Sequence, residues 1–110
     1  MNADLAARKL IVAAYIYYCL DHNIMSDHEY DALSNFVADH WDELDPVRQW
    51  QLGSPEQIRA SGFHILYTVL AVDAARQAFH EHTGRYPHQR IPGRWKRNKE
   101  LGLRYVTSSN

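Results

Sequence analysis

The spacing of apolar residues predicts helices along most of the first 84 residues. An apolar stripe at helical spacing runs from about residue 3 to residue 21 without Gly or Pro, and it contains Leu5, Val12, Ile16 and Cys19. A second helix is expected to begin at Ser26, because Glu29 follows three residues later and the pair forms a capping box. Its buried stripe continues to about residue 44 and consists of Leu33, Phe36, Val37, His40, Trp41 and Leu44.

Start and stop signals predict two more helices. Asp45 and Pro46 are expected to end the second helix, and the loop that follows contains Gly53. The run 54–57, Ser-Pro-Glu-Gln, predicts a short helix that stops at residues 61–62. A long third helix is expected from about residue 63 to 82, with Gly84 after its end and with Ile65, Leu66, Val69, Val72 and Phe79 facing inward.

The helical pattern is lost from Arg85 onward, where Pro87, Pro92, Gly93 and Gly102 interrupt the chain. The sequence therefore predicts an all-α fold: a small helical domain over 1–84, containing a helix-turn-helix pair, a short helix and a long third helix. Residues 85–110 are expected to form an irregular, basic C-terminal extension that is ordered as far as Val106 and loose at its end.

Length and composition are typical of one globular domain, with 110 residues of which 45% are hydrophobic. Cys19 is alone, so it cannot form a disulfide within the chain, and a reducing, cytoplasmic location is expected. The apolar run 10–20 is much shorter than the roughly 20 residues that cross a bilayer, which argues against a membrane partner.

Charge is distributed unevenly along the chain. Residues 1–83 contain 12 acidic and 5 basic side chains, whereas residues 84–110 contain 7 basic side chains and one acidic side chain. The basic segment mixes cations with an indole ring and offers contacts to phosphates and a base, through Arg90, Arg94, Trp95, Lys96, Arg97 and Lys99. The alternative interpretation is that this segment folds onto the acidic body and neutralises it.

The junction of the first two helices carries the most specific chemistry. Asp27, Tyr30 and Asp31 are spaced to project from one helix face, and the preceding helix ends close to Tyr17 and Tyr18. These side chains would surround a small concavity with aromatic walls and two carboxylates. Aromatic faces attract flat cations and carboxylates accept from hydroxyls, which suits an oxidised nicotinamide ring with its ribose. The alternative is that Asp27 only stabilises a helix N-terminus and that the tyrosines are packing residues.

The same run resembles the small N-terminal domain of NAD⁺-dependent DNA ligases, which binds the nicotinamide mononucleotide (NMN) half of NAD⁺. The resemblance covers about residues 3 to 45 and rests on Tyr-Tyr-Cys-Leu-Asp at 17–21 and on Asp-x-x-Tyr-Asp-x-Leu at 27–33. It implies that Tyr17 and Tyr30 contact the nicotinamide nucleotide and that Tyr18 lies beside its phosphate or ribose. It also implies that Asp27 and Asp31 hold its polar groups.

The ligase resemblance does not extend to catalysis. Those ligases adenylate the lysine of a Lys-x-Asp-Gly motif, and none of Lys9, Lys96 and Lys99 begins one. We therefore expect a non-catalytic module that binds NAD⁺ or NMN without a metal. It would serve either as an accessory chain to a separate adenylating ligase chain or as a repurposed binder of the nucleotide. An interaction protein that contacts nucleic acid or a protein partner is the main alternative. A small enzyme acting on a nicotinamide nucleotide is a third, with only the two aspartates available as acid or base.

Overall fold

The computed structural model describes residues 2–87 and 94–108, and this part of the chain is mostly helical. Its α-helices are α1 (Ala3–Leu20), α2 (Asp27–Asp39), α3 (Pro46–Leu52), α4 (Pro55–Ala60) and α5 (Val69–Thr83), with a 3-10 helix at Trp41–Glu43. Helix α1 packs against both α2 and α5 and supplies the largest share of the core. The prediction of a helical fold is thus confirmed in its main feature.

A small antiparallel sheet was not predicted. It consists of β1 (Leu66–Thr68), β2 (Lys96–Asn98) and β3 (Leu103–Thr107), in the order β1-β3-β2. The all-α prediction therefore holds only approximately. β1 and β2, with three residues each, are too short to show the alternation that identifies a strand in a sequence.

The predicted long third helix is divided in two by this sheet. Residues 66–68 form β1, and α5 begins only at Val69, capped by the Thr68 hydroxyl, which accepts from the Ala71 backbone N–H at 3.2 Å. Tyr67 is fully buried and lies opposite Val106 in the sheet. The prediction over 63–68 was wrong because pairing with a distant strand replaced the helical hydrogen bonds.

The C-terminal region was predicted to be irregular, yet it contains β2 and β3. Val106 is completely buried, and Trp95 packs against the core. Gly102, expected to break regular structure, adopts a φ of 67° in the turn between the two strands. That left-handed conformation suits glycine and permits a tight reversal of the chain.

A second correction concerns the region after α2, which ends at Asp39 and not near residue 44. Asp45 and Pro46 do not lead into a loop; they start α3. The Asp45 carboxylate accepts from the Val47 backbone N–H at 2.8 Å, and Pro46 occupies the first helical turn. Pro is favoured there because no intrahelical hydrogen bond is lost. The dipeptide that was expected to end α2 therefore begins α3 instead.

The predicted start of α2 is confirmed. The Ser26 hydroxyl accepts from the Glu29 backbone N–H at 3.1 Å, and the Glu29 carboxylate accepts from the Ser26 backbone N–H at 3.1 Å. This reciprocal cap fixes the first turn of α2 beside the last turn of α1. Among the residues described, no helix is long and apolar enough to cross a membrane.

Candidate functional site

A tight connection brings the end of α1 to the start of α2. Asp21 adopts a left-handed conformation (φ 52°, ψ 47°), and the backbone N–H of His22 donates to the Ile16 carbonyl at 3.1 Å. Asp tolerates this conformation better than β-branched residues do. Because the reversal takes place within residues 21–26, the last turn of α1 and the first turns of α2 share one surface.

That surface contains a cavity of about 350 Å³. All five residues that the sequence predicted to bind a nucleotide line this one cavity, at the meeting of α1, α2 and the end of α4. The complete lining is Ala13, Tyr17, Tyr18, Asn23, Ile24, Met25, Asp27, Tyr30, Asp31, Ala60 and Ser61. The two helix ends therefore meet with the geometry that the sequence pattern predicted.

The aromatic wall of the cavity is an edge-to-face row of rings. The centroids of Tyr17 and Tyr18 are 4.9 Å apart, and those of Tyr18 and Phe63 are 5.6 Å apart. Tyr17 remains 51% exposed, so much of its ring is available to a ligand, whereas Tyr18 packs against the core. The edge-to-face arrangement holds the Tyr17 ring in place and adds a modest stabilisation.

The inner end of the cavity is formed by Tyr30, which is half-buried against the core. Burial, together with the nearby Tyr18 phenol and Asp31 carboxylate, raises the pKa of the Tyr30 hydroxyl well above its ordinary value. The hydroxyl is therefore protonated at any physiological pH, and it can donate a hydrogen bond to a ligand.

The two aspartates are exposed and available. Asp27 and Asp31 lie in the first two turns of α2, and within residues 2–87 and 94–108 neither forms an ion pair or a side-chain hydrogen bond. Ser26 and Glu29 cap α2, so neither aspartate is needed as the capping side chain.

The loop after α4 closes the cavity, and sequence reasoning did not identify it. The Gly62 backbone N–H donates to the Tyr18 hydroxyl at 3.3 Å. A Cβ atom at Gly62 would overlap the Tyr30 hydroxyl and come within 3.3 Å of the Tyr18 ring. Ser61-Gly62 was interpreted only as a helix stop, yet the missing side chain is what lets this loop approach the tyrosines.

The predicted nucleic-acid residues lie on and around β2, far along the chain from this cavity. Arg94, Lys96, Arg97 and Lys99 are exposed, while Arg90 lies outside the described residues. Trp95 is half-buried against the core, and the Arg104 guanidinium lies 5.4 Å from its ring centroid. The indole that was expected to stack on a base therefore already has partners within the protein.

The histidines do not assemble a metal centre in the described residues, where no group of three or more His, Cys, Asp or Glu side chains could hold an ion. His22 and His82 instead form a hydrogen bond of 2.9 Å between ring nitrogens, which ties the α1–α2 turn to the last turn of α5. This contact ties down the turn whose next three residues, 23–25, line the cavity.

Comparison of the chain with models of known protein families, with curated proteins and with solved structures finds no match. We therefore infer function from the cavity itself and from the residues that surround it.

Proposed function

We propose that this protein is a binding module for a nicotinamide nucleotide and that the cavity between α1 and α2 holds NMN or the NMN half of NAD⁺. The observation that carries the proposal is that Tyr17, Tyr18, Asp27, Tyr30 and Asp31 line one cavity of about 350 Å³. This volume lies near the lower end of the range of small-molecule sites, about 300–1,000 Å³, and suits a mononucleotide. The adenylate half of NAD⁺ would then extend beyond the cavity.

The aromatic wall suits the oxidised nicotinamide ring, which is flat and positively charged. The half-exposed Tyr17 ring offers a face to such a cation, an interaction worth about 0.5–2 kcal/mol depending on how dry the contact is. No arginine or lysine lines the cavity, so its net charge is set by Asp27 and Asp31. The cavity therefore favours the cationic nicotinamide ring, and the anionic phosphate of NMN would lie toward solvent, away from the two carboxylates.

The polar groups suit the ribose. Carboxylates that lack protein partners can each accept from a ribose hydroxyl, and such charge-assisted hydrogen bonds are stronger than neutral ones. The protonated Tyr30 hydroxyl supplies a donor at the inner end of the cavity. The aromatic rings thus match the cationic nicotinamide, the carboxylates match the ribose diol, and the Tyr30 phenol can donate to an acceptor on the ligand.

The proposed role is one of binding without catalysis. No lysine lines the cavity, and no Lys-x-Asp-Gly motif occurs in the sequence. Transfer of adenylate from NAD⁺ would require a nucleophile from another polypeptide. We therefore extend the proposal to an accessory chain that works with a separate adenylating ligase chain.

Calorimetric titration with NMN, with ¹⁵N-labelled protein followed in parallel by NMR, tests the nucleotide site. We expect saturable binding with shifts at residues 17–31 and 60–62, and about tenfold weaker binding after Asp31→Asn, since a charge-assisted hydrogen bond contributes on the order of 1.5 kcal/mol. Asp42→Asn, in the 3-10 helix outside the cavity, is the matched control. Reduced NMN, whose ring is uncharged, should bind several-fold more weakly.

Two results would contradict this proposal. One is the absence of heat and of shifts at about 5 mM NMN, a concentration that detects even the weakest specific ligands. The other is equal weakening by Asp31→Asn and Asp42→Asn, which would mean that the effect is not local to the cavity.

A second candidate function rests on the exposed cations of β2 and of the turn after it. Arg94, Lys96, Arg97 and Lys99 could neutralise phosphates of DNA in any sequence. Fluorescence anisotropy with single- and double-stranded DNA across a salt series tests this function. Binding that weakens with salt and with Lys96→Glu plus Lys99→Glu would support it, and an unchanged anisotropy at low salt would rule it out.

A further inference from the structure

A second opening lies on a different surface of the molecule. It is a groove of about 690 Å³ between α1, α3, the first turns of α5 and the start of β3. None of its lining residues also lines the nucleotide cavity. The groove has roughly twice the volume of that cavity, and the proposed function leaves it unused.

The walls of the groove are mainly aliphatic. Val12, Val69, Leu70 and Leu103 contribute to them. Leu70 is 79% exposed and Val69 is 41% exposed, although both lie at the start of a helix whose other face is in the core. Neighbouring exposed aliphatic side chains in a concave surface are typical of a site that another molecule covers.

The charged residues of the lining all have one sign. Arg8, Arg48 and Arg104 line the groove, and none of the lining residues is acidic. The Asp4 carboxylate is shared, 3.3 Å from the Arg8 Nε atom and 3.7 Å from the Arg48 Nε atom. One carboxylate offsets only one of these two guanidinium charges, so this end of the groove remains cationic.

Arg48 has spare hydrogen-bonding capacity although its side chain is only 18% exposed. One terminal nitrogen donates to the Gln51 side-chain oxygen at 2.6 Å, but the buried Nε atom has no hydrogen-bond partner. A buried donor without a partner costs on the order of 1–3 kcal/mol. Because this atom is enclosed by protein, an anionic group in the groove would interact with the Arg48 charge and not with the Nε donor.

Arg104, on β3, adds a third cation to the lining. It lies directly across from Arg97 in the pairing of β2 with β3, so the two side chains leave the same face of the sheet. Like charges in that position destabilise a sheet. No carboxylate within residues 2–87 and 94–108 forms an ion pair with either of them. An acidic partner would relieve their repulsion.

We propose that this groove binds an acidic amphipathic helix of a partner protein. Aliphatic side chains spaced i, i+3 or i+4, and i+7 would lie against Val69, Leu70 and Leu103, and flanking carboxylates would pair with the arginines of the lining. A small fatty acid would fit the aliphatic walls but brings one carboxylate to a lining that contains three arginines. An acidic amphipathic helix brings several carboxylates together with an apolar stripe, so the lining favours a segment of protein.

The proposal does not depend on nucleotide binding, since the two sites share no residue. Its first test uses NMR of ¹⁵N-labelled protein with a synthetic helical peptide of about 14 residues, or about four turns, with a leucine stripe flanked by glutamates. We expect shifts centred on residues 8–12, 69–74 and 102–104. The same leucine stripe flanked by lysines should bind at least tenfold more weakly, and added salt should weaken the glutamate peptide.

Paired variants localise the interaction. Leu70→Ser should weaken peptide binding about tenfold, whereas Leu5→Ser, at another exposed leucine that does not line the groove, should not. Arg104→Glu should weaken it by a similar factor, while Lys99→Glu makes the same charge change on the neighbouring turn and should have a smaller effect. All four positions are at the surface, so the fold should persist, which circular dichroism would verify.

Several outcomes would overturn the proposal. These are the absence of shifts at about 1 mM peptide, equal binding of the lysine peptide, or peptide binding that Leu70→Ser leaves unchanged. If decanoate produced the groove shifts and the peptide did not compete with it, the groove would be assigned to a lipid anion. If a short DNA duplex did so, the groove would be assigned to nucleic acid. NMN shifts at residues 17–31 in the same samples report separately on the nucleotide cavity.

Discussion

Two concave surfaces in the described part of the chain have opposite charge and share the helix α1. The cavity beside α2 is lined by two carboxylates and three phenols without a lysine or arginine. The groove beside α5 is lined by three arginines and aliphatic side chains without a carboxylate. A chain with a formal net charge of only −1 therefore separates its charges into one site suited to a cation and one suited to an anion.

The two sites also differ in how their polar groups are held. Asp27 and Asp31 are exposed on α2 and need no rearrangement to meet a ligand. At the groove, Asp4 already binds Arg8 and Arg48, and its other carboxylate oxygen accepts from the Asp45 backbone N–H at 3.1 Å. A ligand of the cavity thus meets unpaired groups, whereas a ligand of the groove competes with an existing ion pair. We expect the cavity to be the more preorganised of the two.

The largest expected effect tests whether either opening reaches Cys19, which lies on α1, the helix that the two sites share. Cys19 is half-buried on α1 and lines neither opening, and its burial raises the pKa of the thiol to about 11. Only the thiolate is alkylated, so iodoacetamide should react about a hundredfold more slowly at pH 7.5 than with a free cysteine peptide. The rate should rise about tenfold per pH unit until about pH 11.

The same shift predicts the pH dependence of stability. In the unfolded chain the thiol loses its proton near pH 9, whereas in the folded chain it keeps the proton until about pH 11. The unfolded state therefore binds fewer protons in this interval, and the free energy of unfolding should fall as the pH rises from 9 to 11. Urea titrations at several pH values would measure it. Rapid alkylation at pH 7.5 would show instead that one of the two openings reaches the thiol.

The second prediction breaks the cavity and leaves the groove intact. In Gly62→Ala the added Cβ would overlap the Tyr30 hydroxyl, so either the loop or the phenol must move. We expect NMN binding to weaken at least tenfold and stability to fall by about 1–3 kcal/mol, the usual cost of overpacking. Binding of the acidic peptide should be unchanged. Calorimetry with both ligands would measure the two affinities.

Gly84→Ala is the control for the loss of stability in Gly62→Ala. It strains a left-handed φ of 78° at the end of α5, but its Cβ would meet no atom within 4 Å. We expect a loss of about 1 kcal/mol with an unchanged NMN affinity. If Gly84→Ala weakened NMN binding as much as Gly62→Ala does, the weaker binding would result from the loss of stability and not from the displaced tyrosine.

The parts of the molecule that the sequence predicted depend on short-range patterns. The capping box of Ser26 and Glu29 placed the start of α2, and the spacing of Asp27, Tyr30 and Asp31 placed all three on one face of it. Helical hydrogen bonds join residues four apart, so the geometry of a helix can be deduced from its own residues. The loop 60–62 could not be deduced, because it reaches the cavity from about 30 residues away.

The sheet was missed for the same physical reason. β1 pairs with β3 across a separation of about 40 residues, with Leu66 opposite Thr107, and no local signal specifies that partner. Thr68 both ends β1 and caps α5, so the apolar spacing of residues 65–79 resembles one continuous helix. The groove arises where α5 begins after β1, and its lining could not be anticipated without that pairing.

The third prediction concerns the aromatic wall of the cavity. Tyr17 is 51% exposed, so Tyr17→Ala should cost little stability while removing the ring face offered to the nicotinamide. A cation–π contact at a partly exposed site is worth about 1 kcal/mol, which corresponds to a roughly fivefold weaker affinity for NMN. Tyr17→Phe keeps the ring and should retain most of the binding. Equal losses in the two variants would assign the effect to the hydroxyl and contradict a role for the ring.

The smallest expected effect concerns the difference in charge between the cavity and the groove. Asp4→Asn removes the carboxylate shared by Arg8 and Arg48, so the groove gains a full positive charge and the acidic peptide no longer competes with an internal partner. We expect peptide affinity to rise about threefold at low salt and the gain to disappear at high salt. Stability should fall by about 1 kcal/mol, because Arg48 is mostly buried and would lose a partner.

NMN affinity of the Asp4→Asn variant should stay the same, since Asp4 lines neither opening. Weaker peptide binding in Asp4→Asn would mean that Asp4 orients the arginines for the ligand, and the groove would then be as preorganised as the cavity.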